Sequence, residues 1–161
     1  MHRAYLSLGS NIAPEKHLRA AIEELRARFG TLTVSPVYRS AAVGFEGPEF
    51  LNLAVGIDTD LDAHALDAWL HALEDRHGRH RDQPRYASRT LDVDIVLFDE
   101  AIIAGPGHLR IPRAELAEAF VNVPLVDIAP AVRNPESGLT VAEIRARTDA
   151  SGLVRTAIAL D

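Results

Sequence analysis

The stretch SRTLDVDIVLF, Ser88–Phe98, decides how the rest of the chain is interpreted. It is rich in β-branched and aliphatic residues, which predicts a buried strand. Its alternation defines two faces, with Leu91, Val93, Ile95 and Leu97 on one side and Thr90, Asp92, Asp94, Val96 and Phe98 on the other. Asp92 and Asp94 therefore point the same way, and their like charges repel each other unless water, an arginine or a divalent cation relieves them.

Length and composition predict one soluble domain that spans residues 1–161. The apolar share of 47% and the charged share of 25% are those of an ordinary globular protein with a substantial core. Because there is no cysteine, disulfides, thiolate metal sites and cysteine nucleophiles are excluded. The N-terminus has no signal-peptide pattern, and no apolar run reaches the roughly 20 residues of a membrane span. We expect a cytoplasmic, monomeric protein.

Charge is distributed unevenly along the chain. A net charge of −6 argues against nucleic acid as a partner. Residues 76–89, however, contain five arginines, two histidines and a single acid, Asp82. Arginine favours bidentate contacts to phosphate or carboxylate, so this basic stretch predicts a small anionic ligand. It directly precedes Asp92 and Asp94, and two carboxylates beside arginines are the components of a magnesium–nucleotide site.

Each of these motifs also has an ordinary structural explanation. A D-x-D pair on a strand arises by chance, and most runs of charge are simply solvated surface. The G-S-N at Gly9–Asn11 is either a turn where a ligand approaches or the N-terminal signal of a helix. Neither G-x-x-x-x-G-K-[ST] nor G-x-G-x-x-G occurs, so the common nucleotide-binding loops are excluded. The adjacency of the acidic pair and the arginines favours phosphate chemistry.

Apolar periodicity predicts the order strand, helix, strand, strand, helix, strand. The predicted strands are 3–9, 31–38, 50–59 and 88–98, and the predicted helices are 14–29 and 62–77. Pro36 marks the second strand as an edge or a bulge. This order predicts an α+β fold, a ferredoxin-like antiparallel sheet with helices on one face and a βαββαβ core. A C-terminal extension follows, with helices near 115–128 and 141–147 and a strand near 153–160.

Several segments together resemble the 6-hydroxymethyl-7,8-dihydropterin pyrophosphokinase family of folate biosynthesis. The resemblance runs from about Ala4 to Pro130. Its supports are AYLSLGSN at 4–11, VYRSAAVG at 37–44, FLNLAV at 50–55, LEDRHGR at 73–79, SRTLDVDIVLF at 88–98 and FVNVPLVDIAP at 120–130. The resemblance implies that ATP gives its β,γ-pyrophosphoryl group to the hydroxymethyl group of the reduced pterin, and that AMP leaves.

The resemblance also implies the residues of the site. Asp92 and Asp94 would hold two Mg²⁺ ions, and with Arg79 and Arg89 they would form the catalytic set. The nucleotide-binding set would comprise Glu74, Arg79, Arg81, Arg89, Ile95, Arg110 and Arg113. The pterin-binding set would comprise Gly9, Ser40, Ala41, Ala42, Val43, Phe50, Asn52, Tyr86 and Phe120. The loops at 40–48 and 79–88 are expected to move and to close over the substrates.

Two other hypotheses stay open. Relative to the family pattern, Asp82 and Glu118 replace basic residues, Arg113 replaces a histidine, and the Gly-Pro pair before Arg89 is missing. One lost charge-assisted hydrogen bond weakens ATP binding on the order of tenfold to a hundredfold. The second hypothesis is therefore a catalytically weak or inactive pterin-binding paralogue. The third is a domain that associates with another folate enzyme.

Overall fold

The computed structural model describes residues 1–40, 49–78 and 90–160. Seven predicted site residues lie outside these ranges, namely Ala41, Ala42, Val43, Arg79, Arg81, Tyr86 and Arg89. The two loops that are expected to close over the substrates also lie almost entirely outside the described residues. The roles assigned to those segments therefore remain predictions from the sequence.

The described residues form eight strands and four α-helices. In chain order they are β1 (His2–Ser10), α1 (Pro14–Phe29), β2 (Thr33–Val34), β3 (Tyr38–Ser40), β4 (Phe50–Thr59), α2 (Ala63–Arg76), β5 (Asp92–Phe98), β6 (Ile103–Ala104), β7 (Arg110–Ile111), α3 (Ala119–Val126), α4 (Val141–Ala146) and β8 (Leu153–Arg155). A 3-10 turn at Ala114–Ala117 precedes α3. Helix α1 and strand β4 have the bounds predicted from the sequence, and α2 lies within one residue of its predicted ends.

The central sheet is antiparallel, with the strand order β5-β1-β4-β3-β8, and β2 also pairs with β4. Strands β1 and β4 pair from His2 opposite Thr59 to Ser10 opposite Leu51. Strand β1 pairs with β5 on its other side, and β6 and β7 form a separate hairpin. The predicted α+β class, with a βαββαβ core and a C-terminal extension, is confirmed.

Helices cover both faces of the sheet, whereas the sequence predicted helices on one face. Helices α1 and α2 pack on the face that carries Leu6 and Leu53, and α3 packs on the face that carries Ala54. The one-face prediction was wrong because β4 is buried almost continuously along its length rather than at alternate residues. A strand buried on both sides needs cover on both sides.

Strand β5 departs from regular alternation at Val96. Its register against β1 shifts between Tyr5 and Leu6, which leaves Val96 as an extra residue in a β-bulge. Beyond the bulge the two faces exchange, so that Phe98 packs in the core with α1 and α2, and Leu97 packs in the core with α3. The sides predicted for Leu97 and Phe98 were wrong because strict alternation does not anticipate an inserted residue.

Three predicted elements are shorter or divided. The predicted strand 31–38 becomes β2 and β3, because Pro36 has no N–H to donate to a neighbouring strand. The predicted helix 115–128 divides into the 3-10 turn and α3, since the backbone of Glu118 between them is extended. The last predicted strand, 153–160, ends at Arg155. Among the described residues, no helix combines the length and the apolarity that crossing a membrane requires.

Tyr38 ties the C-terminal extension to the sheet. Its side chain is buried on β3, and its hydroxyl donates a hydrogen bond to the carboxylate of Asp127, just after α3. Burial and this hydrogen bond raise the pKa of Tyr38 to about 12. The phenol is therefore protonated at neutral pH and stays available as a donor.

Replacing Tyr38 by Phe should lower the free energy of unfolding by about 1.5–3 kcal/mol, because the Asp127 carboxylate loses a hydrogen-bond donor. Tyr5→Phe is the matched control. Among the described residues, the Tyr5 hydroxyl accepts one long contact of 3.4 Å from Nε of Arg3, so its removal should cost less than about 1 kcal/mol. Urea unfolding followed by circular dichroism measures both values. A loss in Tyr38→Phe no larger than that in Tyr5→Phe would contradict the proposed tie.

Candidate active site on one row of the sheet

One cross-strand row carries several of the predicted polar site residues. Asp92 on β5 pairs with Gly9 on β1, Gly9 pairs with Asn52 on β4, and Asn52 pairs with Tyr38 on β3. Residues directly opposite each other on antiparallel strands point to the same face. Asp92 and Asn52 therefore face the same side, with a residue that has no side chain between them. Farther along β4, Ala54 on this face packs against α3.

Asp94 extends the acidic end of this row along β5. Its side chain is 28% exposed, so a cation can reach the carboxylate from solvent. Burial raises the pKa of Asp94 well above its ordinary value of 3.8, and the negative charge of Asp92 raises the pKa further. The pair thus carries negative charge that its surroundings do not fully compensate, and a divalent cation would relieve it.

Arg113 lies beside the acidic pair. One terminal guanidinium nitrogen is 3.5 Å from Oδ1 of Asp94, and Nε is 2.6 Å from Oε2 of Glu115. Burial by itself lowers the pKa of Arg113, but the charges of Asp94, Glu115 and Asp92 outweigh burial and raise the pKa above its ordinary value. The guanidinium is therefore permanently charged and is shared between two carboxylates.

The bulge in β5 holds the backbone of Arg113 in place. The N–H of Arg113 donates to the carbonyl oxygen of Val96, the bulged residue, with an N···O distance of 3.0 Å. Bulges recur next to functional sites because they re-aim the side chains and backbone groups around them. Strand β5 therefore both carries Asp94 and fixes the position of the arginine that contacts it.

Glu74 supports the acidic pair from the core side of β5. Its side chain is almost fully buried, and its Oε2 accepts a hydrogen bond from the N–H of Val93 at 2.9 Å. Val93 lies between the two aspartates, so this contact fixes the backbone from which both carboxylates project. The charge of Glu74 also contributes to the raised pKa of Asp94. The nucleotide contact predicted for Glu74 stays a prediction.

The other end of the row is built around Asn52. This side chain is buried, and its Nδ2 donates to Oγ of Ser40 at 2.7 Å. A Cβ added at Gly9 would lie 3.1 Å from Oδ1 of Asn52 and 3.8 Å from the ring of Phe50. Gly9 therefore lets the amide and the aromatic ring approach β1 closely. An oriented amide beside an aromatic ring suits a flat heterocycle with donors and acceptors on its edge.

Three other predicted site residues lie on neighbouring elements. Phe120 is half-buried near the start of α3 and packs against the core on the α3 side. Ile95 is buried in the core with α1 and α2, so its side chain points away from the face that carries Asp94. Arg110 is exposed on β7. The structure therefore brings Gly9, Ser40, Phe50 and Asn52 together at one end of the row and Glu74, Asp92, Asp94 and Arg113 at the other.

Sequence reasoning missed Glu115 and Tyr38 as parts of this arrangement. Glu115 lies two residues after Arg113. The backbone of Arg113 is extended and leads into the 3-10 turn, which brings the carboxylate of Glu115 back to the guanidinium. An acid two residues from an arginine is too common to serve as a signal. Tyr38 could have been found, because pairing the segments at 37–44 and 50–55 as a hairpin puts it opposite Asn52.

Comparison with known proteins identifies a matching family. The family model described as 7,8-dihydro-6-hydroxymethylpterin-pyrophosphokinase (HPPK) matches residues 5–130. A 2-amino-4-hydroxy-6-hydroxymethyldihydropteridine pyrophosphokinase from Pseudomonas aeruginosa is 38% identical over 160 residues, which cover 96% of this chain and 97% of that protein. A protein of the same name from Methylorubrum extorquens is 39% identical over 160 residues, which cover 96% of this chain and 99% of that protein.

Solved structures with the same fold include a triple mutant of Plasmodium falciparum HPPK-DHPS with STZ-DHP, with a TM-score of 0.73 at 12% identity. A structure of HPPK-DHPS in complex with substrates also has a TM-score of 0.73, at 13% identity. Each match covers 91% of this chain but only 43% of the other, so the chain spans less than half the length of those proteins. At such low identity the likeness supports the fold alone.

Replacing Asp94 by Asn should raise the unfolding midpoint of the metal-free protein at neutral pH. Because the folded state raises the pKa of Asp94, ionisation costs stability as the pH rises from about 3.8 through the folded-state value. Neutral pH lies above the ordinary value of 3.8, so the raised pKa lowers stability there, and the amide removes that cost. At pH values below 3.8 the carboxyl is protonated in both states, so the variant and the original chain should differ little.

Asp99→Asn is the control, and it should lower the unfolding midpoint at neutral pH. The backbone N–H of Arg3 and the side chain of His2 lower the pKa of Asp99, so its ionised form stabilises the fold at neutral pH. Thermal unfolding in the presence of a chelator, over a pH series, measures both variants. A lower midpoint for Asp94→Asn at neutral pH would mean that the contact with Arg113 outweighs the burial and repulsion of the carboxylate.

Proposed function

Because this chain belongs to the 7,8-dihydro-6-hydroxymethylpterin-pyrophosphokinase (HPPK) family, we propose that it catalyses Mg²⁺-dependent transfer of pyrophosphate from ATP to 6-hydroxymethyl-7,8-dihydropterin. The hydroxymethyl oxygen forms a bond to the β-phosphorus of ATP and loses its proton. The bond from that phosphorus to the oxygen shared with the α-phosphate breaks, and AMP leaves.

The row from Asp92 through Gly9 to Asn52 is the observation that carries this proposal. Neighbouring strands lie about 4.8 Å apart, so the backbones at the two ends of this row are separated by roughly 10 Å. A flat bicyclic pterin bound at Asn52 would cross Gly9 and direct its hydroxymethyl group toward the acidic end. Because Gly9 has no side chain, the amide of Asn52 can lie close against β1 beside this route.

The donor set at Asp92 and Asp94 fits Mg²⁺. Carboxylate oxygens, together with phosphate oxygens and water, are the ligands that this ion takes in nucleotide sites. The raised pKa of Asp94 and its partial exposure support a carboxylate pair that needs a cation and is accessible to one. When bound, Mg²⁺ would offset negative charge on the triphosphate and on the departing AMP. The count of two ions, which rests on the family resemblance, belongs to this proposal.

Arginines would bind and orient the triphosphate. Arg113 contacts Asp94, and it would exchange that carboxylate for a phosphate oxygen when the acidic pair holds a cation. Further positive charge would come from Arg79, Arg81, Arg89 and Arg110. Transfer of this kind depends mainly on positioning and on compensation of charge, so no covalent intermediate with the protein is needed.

The amide end of the row would recognise the pterin. The hydrogen bond from Asn52 to Ser40 fixes the orientation of the amide before the ligand arrives, which reduces the entropy lost on binding. Phe50 and Phe120 would provide aromatic contacts to the ring faces. Backbone groups from Ser40 to Val43, and the ring of Tyr86, would complete the pocket.

One contact favours the second candidate function, pterin binding with little turnover. Arg113 lies 2.6 Å from Glu115 as well as 3.5 Å from Asp94, and Glu118 adds another negative charge three residues beyond Glu115. A triphosphate must compete with these carboxylates for the same guanidinium. In this alternative, the protein binds the pterin at Asn52 and binds ATP too weakly for efficient transfer.

A product assay separates the two functions. With Mg²⁺, ATP and 6-hydroxymethyl-7,8-dihydropterin, the protein should form AMP rather than ADP, and only when the pterin is present. Asp92→Ala should reduce the rate on the order of a hundredfold or more, because the site loses charge that compensates the triphosphate through the cation. Asp58→Ala is the control, since Asp58 is an exposed acid on β4 that contacts only the exposed end of Arg3 among the ion pairs described.

Three results of this assay are decisive. AMP formed without pterin would contradict pyrophosphoryl transfer to that acceptor. Full activity in Asp92→Ala would contradict the assigned role of the acidic pair. A folded protein that binds the pterin but forms no AMP would support the second candidate function instead.

Gly9→Ala tests the path across the row. The new Cβ would lie 3.1 Å from Oδ1 of Asn52, so the amide must shift, and pterin affinity should fall by about tenfold. Gly56→Ala, on the same face of β4, is the matched control. Its Cβ would lie 2.7 Å from the flexible end of Arg3, which can move away, and 3.2 Å from the ring of Tyr5, but it would not touch Asn52. Calorimetric titration with the pterin measures both affinities, and equal affinities for the two variants would count against the assigned pterin position.

A further inference from the structure

A second cluster of possible metal ligands lies away from the two aspartates. Asp67 and His71 are on α2, and His108 is on the turn between β6 and β7. Nε2 of His108 is 3.0 Å from one carboxylate oxygen of Asp67, and Nε2 of His71 is 3.6 Å from the other. One ligand atom from each of the three residues lies within 4.8 Å of the other two. The three side chains thus place their ligand atoms around one small volume.

The fold brings these three residues together. Asp67 and His71 are four residues apart on α2, which places them on the same helical face. The turn that carries His108 is closed by a hydrogen bond of 2.8 Å from the N–H of Gly105 to the carbonyl of Leu109. The rings of His71 and His108 are stacked, with centroids 4.8 Å apart and planes 14° apart, so one ring must rotate before both nitrogens can point at a single ion.

Two imidazole nitrogens and one carboxylate oxygen form a donor set that suits a transition metal. Zn²⁺ takes these ligands at about 2.0–2.2 Å in a tetrahedral arrangement, in which ligand atoms lie about 3.3 Å from one another. The two imidazole nitrogens lie 3.0 and 3.6 Å from different oxygens of Asp67, and the three ligand atoms lie within 4.8 Å of one another, so the side chains must draw together to reach that spacing. Mg²⁺ prefers an octahedral shell of oxygens, so it is poorly matched to a site with two nitrogens. Three protein ligands leave the fourth position open to water or another small ligand.

We propose that Asp67, His71 and His108 bind one transition-metal ion of the Zn²⁺ class and thereby join α2 to the β6–β7 hairpin. The three side chains are 19%, 36% and 63% exposed, so an ion can enter from solvent. Asp67 precedes Glu74 by seven residues on α2, a separation of about 10 Å along the helix axis. The site therefore lies about two helical turns from the acid that supports Asp92 and Asp94.

Direct Zn²⁺ titration of the full chain tests this proposal without ATP or pterin. After treatment with a chelator and its removal, calorimetry in excess Mg²⁺ should show one Zn²⁺ bound per chain. His108→Ala and His71→Ala should each weaken that binding on the order of tenfold or more, because one of three ligands is lost. His64→Ala is the matched control, since His64 is also on α2 but outside the cluster. It should bind as the original chain does.

Thermal unfolding provides the second measurement. Zn²⁺ should raise the unfolding midpoint of the original chain and of His64→Ala, because binding to the folded state stabilises it. The increase should be absent in His108→Ala. Its metal-free midpoint should fall only slightly, because the contacts of His108 with Asp67 and His71 lie at the surface. Binding that does not saturate at one ion, or that persists equally in His108→Ala, would overturn the proposal. Because both readouts omit the substrates, their failure is distinct from a failure to form AMP.

Discussion

The antiparallel register of β5, β1 and β4 is the constraint on which the candidate site depends. The same pairing that places Asp92, Gly9 and Asn52 in one row places Leu6, Leu8 and their partners in the core on the other face. A slip of one residue would exchange the faces of a strand and bury its polar residues. The burial of the core therefore fixes the geometry of the site, and no separate interaction is needed to align the strands.

The bulge at Val96 is the local exception to this regularity. It ends the strict alternation of β5 immediately after the acidic pair, and the carbonyl that it re-aims receives the N–H of Arg113. The guanidinium of that residue then contacts Asp94. A single inserted residue thus links the acidic strand to the segment that leads into α3. The same backbone feature therefore positions both the acidic strand and the guanidinium of Arg113.

The sequence predicted best where one periodic signal decided the outcome. The apolar spacing of 14–29 and the alternation at 50–59 were sufficient for α1 and β4. The orientation of Asp92 and Asp94 also followed from alternation, because both residues precede the bulge. Other elements were predicted less well. The predicted strand 31–38, for example, is divided at a proline, and its two parts are defined by the strands with which they pair.

Contacts between distant segments could not be predicted from local pattern. The hydrogen bonds of Glu74 to Val93 and of Tyr38 to Asp127 join residues that are 19 and 89 positions apart. Nothing near either residue indicates its partner. The family resemblance supplied a role for Glu74 but not its contact with the backbone of β5. The presence of helices on both faces was likewise not predictable, because α3, which covers the second face of β4, is distant from β4 in the sequence.

The contacts of Glu74 and Arg113 with β5 have a further consequence for how the molecule behaves in a crowded solution. Strand β5 is the last strand at one side of the central sheet, and its sequence is strongly apolar. Outer strands with free backbone groups recruit strands of other molecules and promote aggregation. Here the N–H of Val93 donates to the carboxylate of Glu74, and the carbonyl of Val96 accepts the N–H of Arg113. The groups that shape the acidic site therefore also make part of this edge unavailable for pairing with a strand of another molecule.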